Sequence, residues 1–314
     1  MKHTLLGAAL VAALAIPAFA QDYTIMAPAN PGGGWDGTAR SMQEVLQAEG
    51  IAGSVEVVNV PGAGGTVGLA QFVADSAGDP TKLIVGGYVM VGAILTNQSP
   101  VTLADVTPIA RLTGDYQAIV VPASSDIQTI DDLVAKLKAD PGAVSWAGGS
   151  AGGTDHILVG LLAKSAGVDP TKINYVAFSG GGEAMAAILG NQVTAGVSSV
   201  GEFAEQVKAG TMRLLAVSSA ERLPGIEAPT LKESGYDVVL ENWRMVAAAP
   251  GLTDEQKAKI AADIEKLNAS AGWNEMLATK GWTNTYLAGD AFVAQLASDT
   301  TATEAVLRDI GLVK

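Results

Sequence analysis

The sequence contains no cysteine, which removes disulfides, zinc–thiolate sites and thiol chemistry together. Histidine is nearly as scarce. The chain holds two, His3 and His156, so an ordinary multi-histidine metal centre is excluded and a hydrolytic triad has few candidate bases. Basic residues number 19 against 32 acids, for a formal charge of −13. Nucleic acid and anionic membrane surfaces are therefore poor partners. Beyond the N-terminus no stretch is long and charge-free enough to cross a bilayer. No fixed-period repeat marks a solenoid.

The N-terminus reads MKHTLLGAALVAALAIPAFAQD. Lys2 precedes an apolar run over residues 5–16, Pro17 breaks it, and Ala18-Phe19-Ala20 stands before Gln21. That is the pattern of a cleaved secretory signal, and the run is too short to span a membrane comfortably. Residues 1–20 are expected to be removed after Ala20, giving an exported protein. No cysteine follows the cleavage site, so lipid attachment has no support. Without disulfides, the mature chain must be held by its core, and its length suggests about two domains.

Glycine is abundant, at 37 residues, and much of it is grouped. Four times an apolar, β-prone run empties into a glycine cluster that opens a helix-like stretch: YTIMAPANPGGGWDGTAR, VEVVNVPGAGGTVGLA, VSWAGGSAGGTDHILVG and NYVAFSGGGEAMAAI. Glycine permits the turn and bares the backbone, while the following helix presents unpaired N–H groups and a positive dipole end. Two junctions lie in the first quarter of the chain and two near its middle. The pattern implies two α/β lobes, each offering a pair of anion-binding turns to a shared cleft. Helices are expected with Met42, Val45 and Leu46 on one face, with Ile130, Leu133, Val134 and Leu137 after a Thr129/Asp132 capping box, and with Ile260, Ile264 and Leu267 after a Thr253/Gln256 box. Two further helical stretches close the chain. Crossings between lobes are expected near 119–123 and 241–247. They divide the chain into a first lobe of 21–120 with 245–314 and a second lobe of 121–244, with the paired crossings as a hinge.

Two motifs name other chemistries. Gly32, Gly34 and Gly37 satisfy G-x-G-x-x-G, but the second strand ends at Asn59-Val60-Pro61 with no acid to grip a ribose, against dinucleotide binding. Gly148, Ser150 and Gly152 satisfy G-x-S-x-G, the nucleophile elbow of an exported serine hydrolase. His156, however, stands about six residues up the helix that this turn opens, roughly 9 Å along its axis, and cannot easily reach back. His156 is read either as a group orienting the glycine loop or as a packing histidine. Hydroxyls of Ser150, Thr154, Ser179, Ser198 and Ser199 suit a carboxylate as a group. Trp35 and Tyr88 are candidate walls of the cleft, and Arg40, Arg111 and Arg244 are candidate charge partners.

Through PGGGWD, PGAGG, GGSAGGTDH, GVDPTKINYVAFSGGGEAMAAILGNQV and ERLPG, the chain resembles the extracytoplasmic solute receptors of the tripartite tricarboxylate transporter family, also called Bug-type receptors. The resemblance spans the whole mature chain. It implies a two-lobed periplasmic binding protein fold, type II-like, with mixed sheets flanked by helices and a cleft between lobes. It implies a non-enzymatic, monomeric receptor in the periplasm that closes on a small carboxylate and hands it to large and small membrane subunits, with no cofactor or metal. Carried onto this chain, the binding groups are Gly33, Gly34, Trp35 and Asp36 on one side, and Ser150, Gly152 and Thr154 on the other. Ser179, Gly180 and Gly181 form a third edge. Asp36 is expected to accept from backbone N–H groups and stiffen its loop. The FSGGGE form of the third edge is similar to the tricarboxylate-binding branch, which puts citrate first and C4- or aromatic dicarboxylates behind.

Overall fold

The computed structural model describes residues 21–178 and 181–314; the expected signal peptide lies outside them. The first half of the molecule is built from β1 (Gln21–Ala27), α1 (Gly34–Ala48), β2 (Ala52–Asn59), α2 (Thr66–Ser76), β3 (Lys82–Gly87) and α3 (Tyr88–Thr96). β1 pairs in parallel with β2 and β3, as strands separated by helices should. On α1 the expected face is buried: Met42 and Leu46 are fully enclosed and Val45 nearly so. Each such side chain contributes about 1.5–3 kcal/mol of transfer free energy.

A single long strand, β4 (Thr107–Pro122), then carries the chain into the second half. At 16 residues it is far longer than a common strand, because it pairs with two sets of partners in turn. Thr107 to Tyr116 pair with β9 (Glu241–Ala248), whereas Gln117 to Val120 pair with β7 (Ala195–Ser199) and Ala118 to Pro122 with β8 (Met212–Val217). Partners thus change at Tyr116–Gln117, slightly before the expected 119–123. The second half adds α4 (Ile130–Ala139), β5 (Ser145–Gly148), α5 (Thr154–Ser165), β6 (Asn174–Ala177), α6 (Gly181–Leu189) and α7 (Val200–Lys208). Thr129 and Asp132 close the capping box of α4.

The return crossing runs through Leu240 into β9, and Ser218 ties it to the outgoing one. The Ser218 hydroxyl accepts from Gln117 N–H at 2.9 Å and donates to the Leu240 carbonyl at 2.6 Å. The Ser218 main chain bonds both residues as well. Both crossing strands are therefore clamped at one buried residue.

After β9 come α8 (Asp254–Ala269), α9 (Ala271–Lys280), β10 (Thr283–Ala288) and α10 (Gly289–Asp309). Thr253 and Gln256 cap α8 reciprocally, and Ile260, Ile264 and Leu267 are buried. β10 had not been expected; it pairs antiparallel with β4. Among the described residues ten strands join one curled, mixed sheet, ordered β2-β1-β3-β9-β4-β7-β5-β6, with β8 and β10 also on β4.

Two main apolar clusters sit on this sheet. One gathers Ile25, Leu46, Phe72, Met90, Val246 and Trp273; the other Ile119, Leu133, Trp146, Ile157, Leu162 and Val197. α10 does not stay with the first lobe as the sequence division proposed. Phe292 and Leu296 at its start join the first cluster, but Leu307 and the following Ile310 join the second. Gly160 of α5 makes room for this: a Cβ there would stand 2.5 Å from Ile310 Cγ2. At 21 residues α10 extends about 30 Å, long enough to reach across both halves.

Candidate ligand-binding cleft

Between the halves lies a cleft of about 960 Å³. Its first-half wall is made of two loops, 28–35 and 61–65. The first leads into α1 and is fixed by Asp36, whose carboxylate accepts from Gly32 N–H at 2.9 Å, from Arg40 Nε at 3.0 Å and from Asn59 Nδ2 at 2.9 Å. Burial pushes the Asp36 carboxyl up, but these donors together outweigh it and hold the group below its ordinary value. Asn59 also donates to the Ala29 carbonyl. It stands at the end of β2, where a dinucleotide fold would place its ribose-binding acid.

The second loop turns through Gly64 and Gly65, at φ +63° and +90°. A Cβ on Gly65 would sit 2.6 Å from the Trp35 ring, and one on Gly64 2.5 Å from Ala93 Cβ. Only glycine satisfies both the left-handed backbone and the close approach, and α2 opens behind it with no acid in its first turn.

The second-half wall carries Gly149, Ser150, Ala151, Gly153, Thr154 and Asp155 from the β5–α5 junction, Phe178, Gly182, Glu183 and Met185 near α6, and Ser198, Ser199 and Glu202 at the start of α7. Gly149 N–H donates to Asp155 Oδ2 at 2.8 Å, and Ser198 Oγ donates to Glu202 Oε2 at 2.5 Å. Burial pushes the Asp155 carboxyl up to about 7; the Gly149 bond opposes this, while Glu202 and Asp115 add to it. The floor is Gln117, Asn242 and Arg244, from the two crossing strands. Arg244 Nη1 lies 2.8 Å from Asp115 Oδ2, and both side chains are at least 94% enclosed, with exposures of 4% and 6%. The guanidinium carbon stands 5.3 Å from the Trp282 ring centroid.

Of the sequence-predicted groups, Gly33, Gly34, Trp35, Ser150, Thr154 and Ser198 line the cleft together. Asp36 stands behind its loop as the prop described above, rather than facing the cleft. Tyr88 is not part of the wall. Gly87 packs so closely on β9 that a Cβ would meet the Trp243 carbonyl oxygen at 2.3 Å, and the Tyr88 ring turns inward, edge-on to Trp243 at 6.2 Å. Gly152 is also displaced from the wall. At φ +74° it turns toward α3, where a Cβ would strike Thr96 Cγ2 at 2.4 Å.

Ser179 and Gly180 lie outside the described residues, and Gly181 is the first residue of α6, next to the lining residues Gly182 and Glu183. Of the three arginines, Arg244 reaches the cleft; Arg40 is spent on Asp36, and Arg111 donates to the Thr285 carbonyl. Gln117, Asn242, Glu183 and Glu202 were not singled out from sequence. The acids read as ordinary first-turn residues of helices.

His156 does not serve Ser150. Its Nδ1 accepts from Gly152 N–H at 3.3 Å, and its ring stacks on Tyr175 at 4.0 Å with planes 6° apart. Tyr175 in turn donates to the Gly149 carbonyl. The histidine thus supports the glycine loop and packs in the core, combining the two roles read from the sequence. Burial lowers its pKa to about 4.

An unfolded chain takes up this proton near pH 6.5, whereas the folded one resists until about pH 4. The stabilisation is therefore complete above pH 6.5 and is lost as pH falls through that window. Between pH 7 and 4.5 the wild type should lose about 2–3 kcal/mol more than His156→Gln, which cannot protonate. Denaturant unfolding at the two pH values measures this; parallel losses in both proteins would refute it.

A cleft walled by glycine-rich helix entrances from two α/β halves, and floored by two clamped crossing strands, defines the class of periplasmic solute-binding proteins. The chain matches the family model described as "Tripartite tricarboxylate transporter family receptor" over residues 38–312, and it belongs to that family. BugT of Bordetella pertussis is 28% identical over 312 residues, covering 96% of this chain and 94% of BugT. MatC of Rhodopseudomonas palustris, solved with bound malate, superposes with a TM-score of 0.78 at 23% identity, covering 93% of this chain and all of that one (100%). Rpa4515 of R. palustris, solved with adipate, gives 0.83 at 21% identity, covering 93% and 97%. Both structures share the fold. Family members are periplasmic solute receptors, not an enzyme family.

Proposed function

We propose that the protein, exported with cleavage after Ala20, captures a small carboxylate, citrate or a related tricarboxylate first, by closure of its halves. As a monomer it then delivers the ligand to the large and small membrane subunits of a tripartite tricarboxylate transporter. The observation that carries this reading is the convergence of loops 28–35 and 61–65 with the β5–α5 junction on one cleft, so that the first half supplies backbone N–H groups and the second half adds the Ser150, Thr154 and Ser198 side chains to its own. A hydrogen bond to a charged group contributes on the order of 1.5–3 kcal/mol, so a few from each wall reach micromolar affinity after ordering costs. Gly33, Gly34, Trp35, Ser150, Thr154 and Ser198 are the proposed contacts, with Arg244 as the cation beneath.

Lobe closure follows from the same placement. Contacts from both walls form together only when the halves approach, and that differential affinity shifts an open population to a closed one. Malate and adipate in the two structural neighbours favour a dicarboxylate as the second reading. Thermal melting with citrate, isocitrate, tricarballylate, malate, succinate, adipate and terephthalate tests both. At 100-fold excess over Kd the bound acid should add about 2.7 kcal/mol. No shift with any of them would sink the receptor reading.

A further inference from the structure

The cleft is charged unevenly. On the first half, α2 and α3 open without an acid in the first turn, and Asp36 of α1 is consumed behind its loop. On the second half, α5, α6 and α7 each carry one, Asp155, Glu183 and Glu202, and all three line the cleft. Arg244 is the sole base among the lining residues, and it is already paired with Asp115. Asp155 spends Oδ2 on Gly149 N–H and Glu202 spends Oε2 on Ser198. Among the described residues Asp155 Oδ1 and Glu202 Oε1 accept no hydrogen bond. A wall of acceptors holding unused oxygens repels a bare carboxylate and attracts a donor.

We infer that the ligand carries a hydrogen-bond donor, a hydroxyl or an ammonium, beside its carboxylates, and that this donor turns toward Asp155 and Glu202 while the carboxylates face the first-half loops. This deepens the receptor reading above and rests on it. The class is a hydroxy- or amino-carboxylate; an unsubstituted di- or tricarboxylate fits the second-half wall poorly. A site built around a donor rejects the analogue lacking it far more strongly than an apolar pocket rejects a missing methylene.

Calorimetric titration of the full mature protein with acids that differ only in the donor tests the inference: citrate against tricarballylate, malate against succinate, and aspartate against succinate. Titrations run at pH 8, where Asp155, with its pKa near 7, is ionised. The donor-bearing member of at least one pair should bind tenfold or more tighter, on the scale of one lost charged hydrogen bond. Malate against aspartate separates hydroxyl from ammonium. Glu202→Gln and Asp155→Asn should each shrink the ratio by weakening the donor-bearing acid and admitting its plain partner, with ligand-free melting as the check on folding. Equal or tighter binding of the plain acids overturns the inference and leaves the receptor reading standing. If none of these acids binds while adipate or terephthalate does, the inference falls alone; the receptor reading falls only when the whole melting panel fails.

Discussion

Asp115→Asn is expected to destabilise the protein by about 3–5 kcal/mol, the usual cost of leaving a buried charge without its partner. Arg244 is 4% exposed, and Asp115 at 2.8 Å is its one salt-bridge partner among the described residues. Burial pushes the Asp115 carboxyl up, while Arg244, Asn242 and Ser199 pull it down. Asparagine preserves the shape and removes only the charge. Replacing both members, Asp115→Leu with Arg244→Met, should recover most of the loss, since a packed apolar pair often replaces a buried ion pair at little cost. Urea unfolding followed by tryptophan fluorescence reads both effects. Because Arg244 also lines the cleft, a saturating carboxylate ligand should stabilise Asp115→Asn more than wild type, the ligand standing in for the lost anion. A midpoint unchanged by Asp115→Asn would mean that the pair contributes nothing, and the account of the cleft floor would fail with it.

What could be read in the sequence was local. The caps of α4 and α8 were legible because Thr129 with Asp132, and Thr253 with Gln256, satisfy their helix N-termini within four residues. The apolar face of α1 was legible by its period. β10 was missed although TNTYLA alternates in the manner of a strand, because helical patterns on both sides absorbed it. The end of α10 was missed for a different reason. Its anchorage depends on Ile310 meeting Gly160, 150 positions away, and no local pattern encodes that pairing.

The cleft divides in the same way. Glycine loops announce helix entrances one at a time, so Gly33, Gly34, Ser150 and Thr154 could be named. Whether an entrance faces the cleft is set by packing, which is why Tyr88 and Gly152 are turned away from it. The acids reveal the same limit more sharply. Asp155, Glu183 and Glu202 are each a favourable first-turn residue for its own helix. Their effect on a ligand arises only because the sheet order β7-β5-β6 sets three helix entrances side by side on one wall.

Gly92→Ala should weaken ligand binding about 100-fold or more while leaving the ligand-free fold intact. Gly92 lies on α3 in the first half, and a Cβ there would stand 2.0 Å from the Gly152 carbonyl oxygen of the second half. Both neighbours are backbone, so neither can swing aside; Gly152 is further held at φ +74° and by its N–H to His156. The halves must part to admit one methyl group. Parted, the protein gives up the packing of Gly152 on Thr96 but escapes the clash, and alanine in a helix favours it by up to about 1 kcal/mol over glycine. Joined, it bears the clash, and a closed state disfavoured by about 3 kcal/mol binds on the order of 100-fold more weakly, because apparent affinity falls with the competent fraction. Two measurements of opposite sign follow: a ligand-free melting temperature equal to or above wild type, and a calorimetric Kd raised by two decades or more. General damage to the fold would lower both stability and affinity, so the opposed signs separate a blocked closure from a broken protein. If Gly92→Ala binds its acid as wild type does, then the halves do not close through this contact.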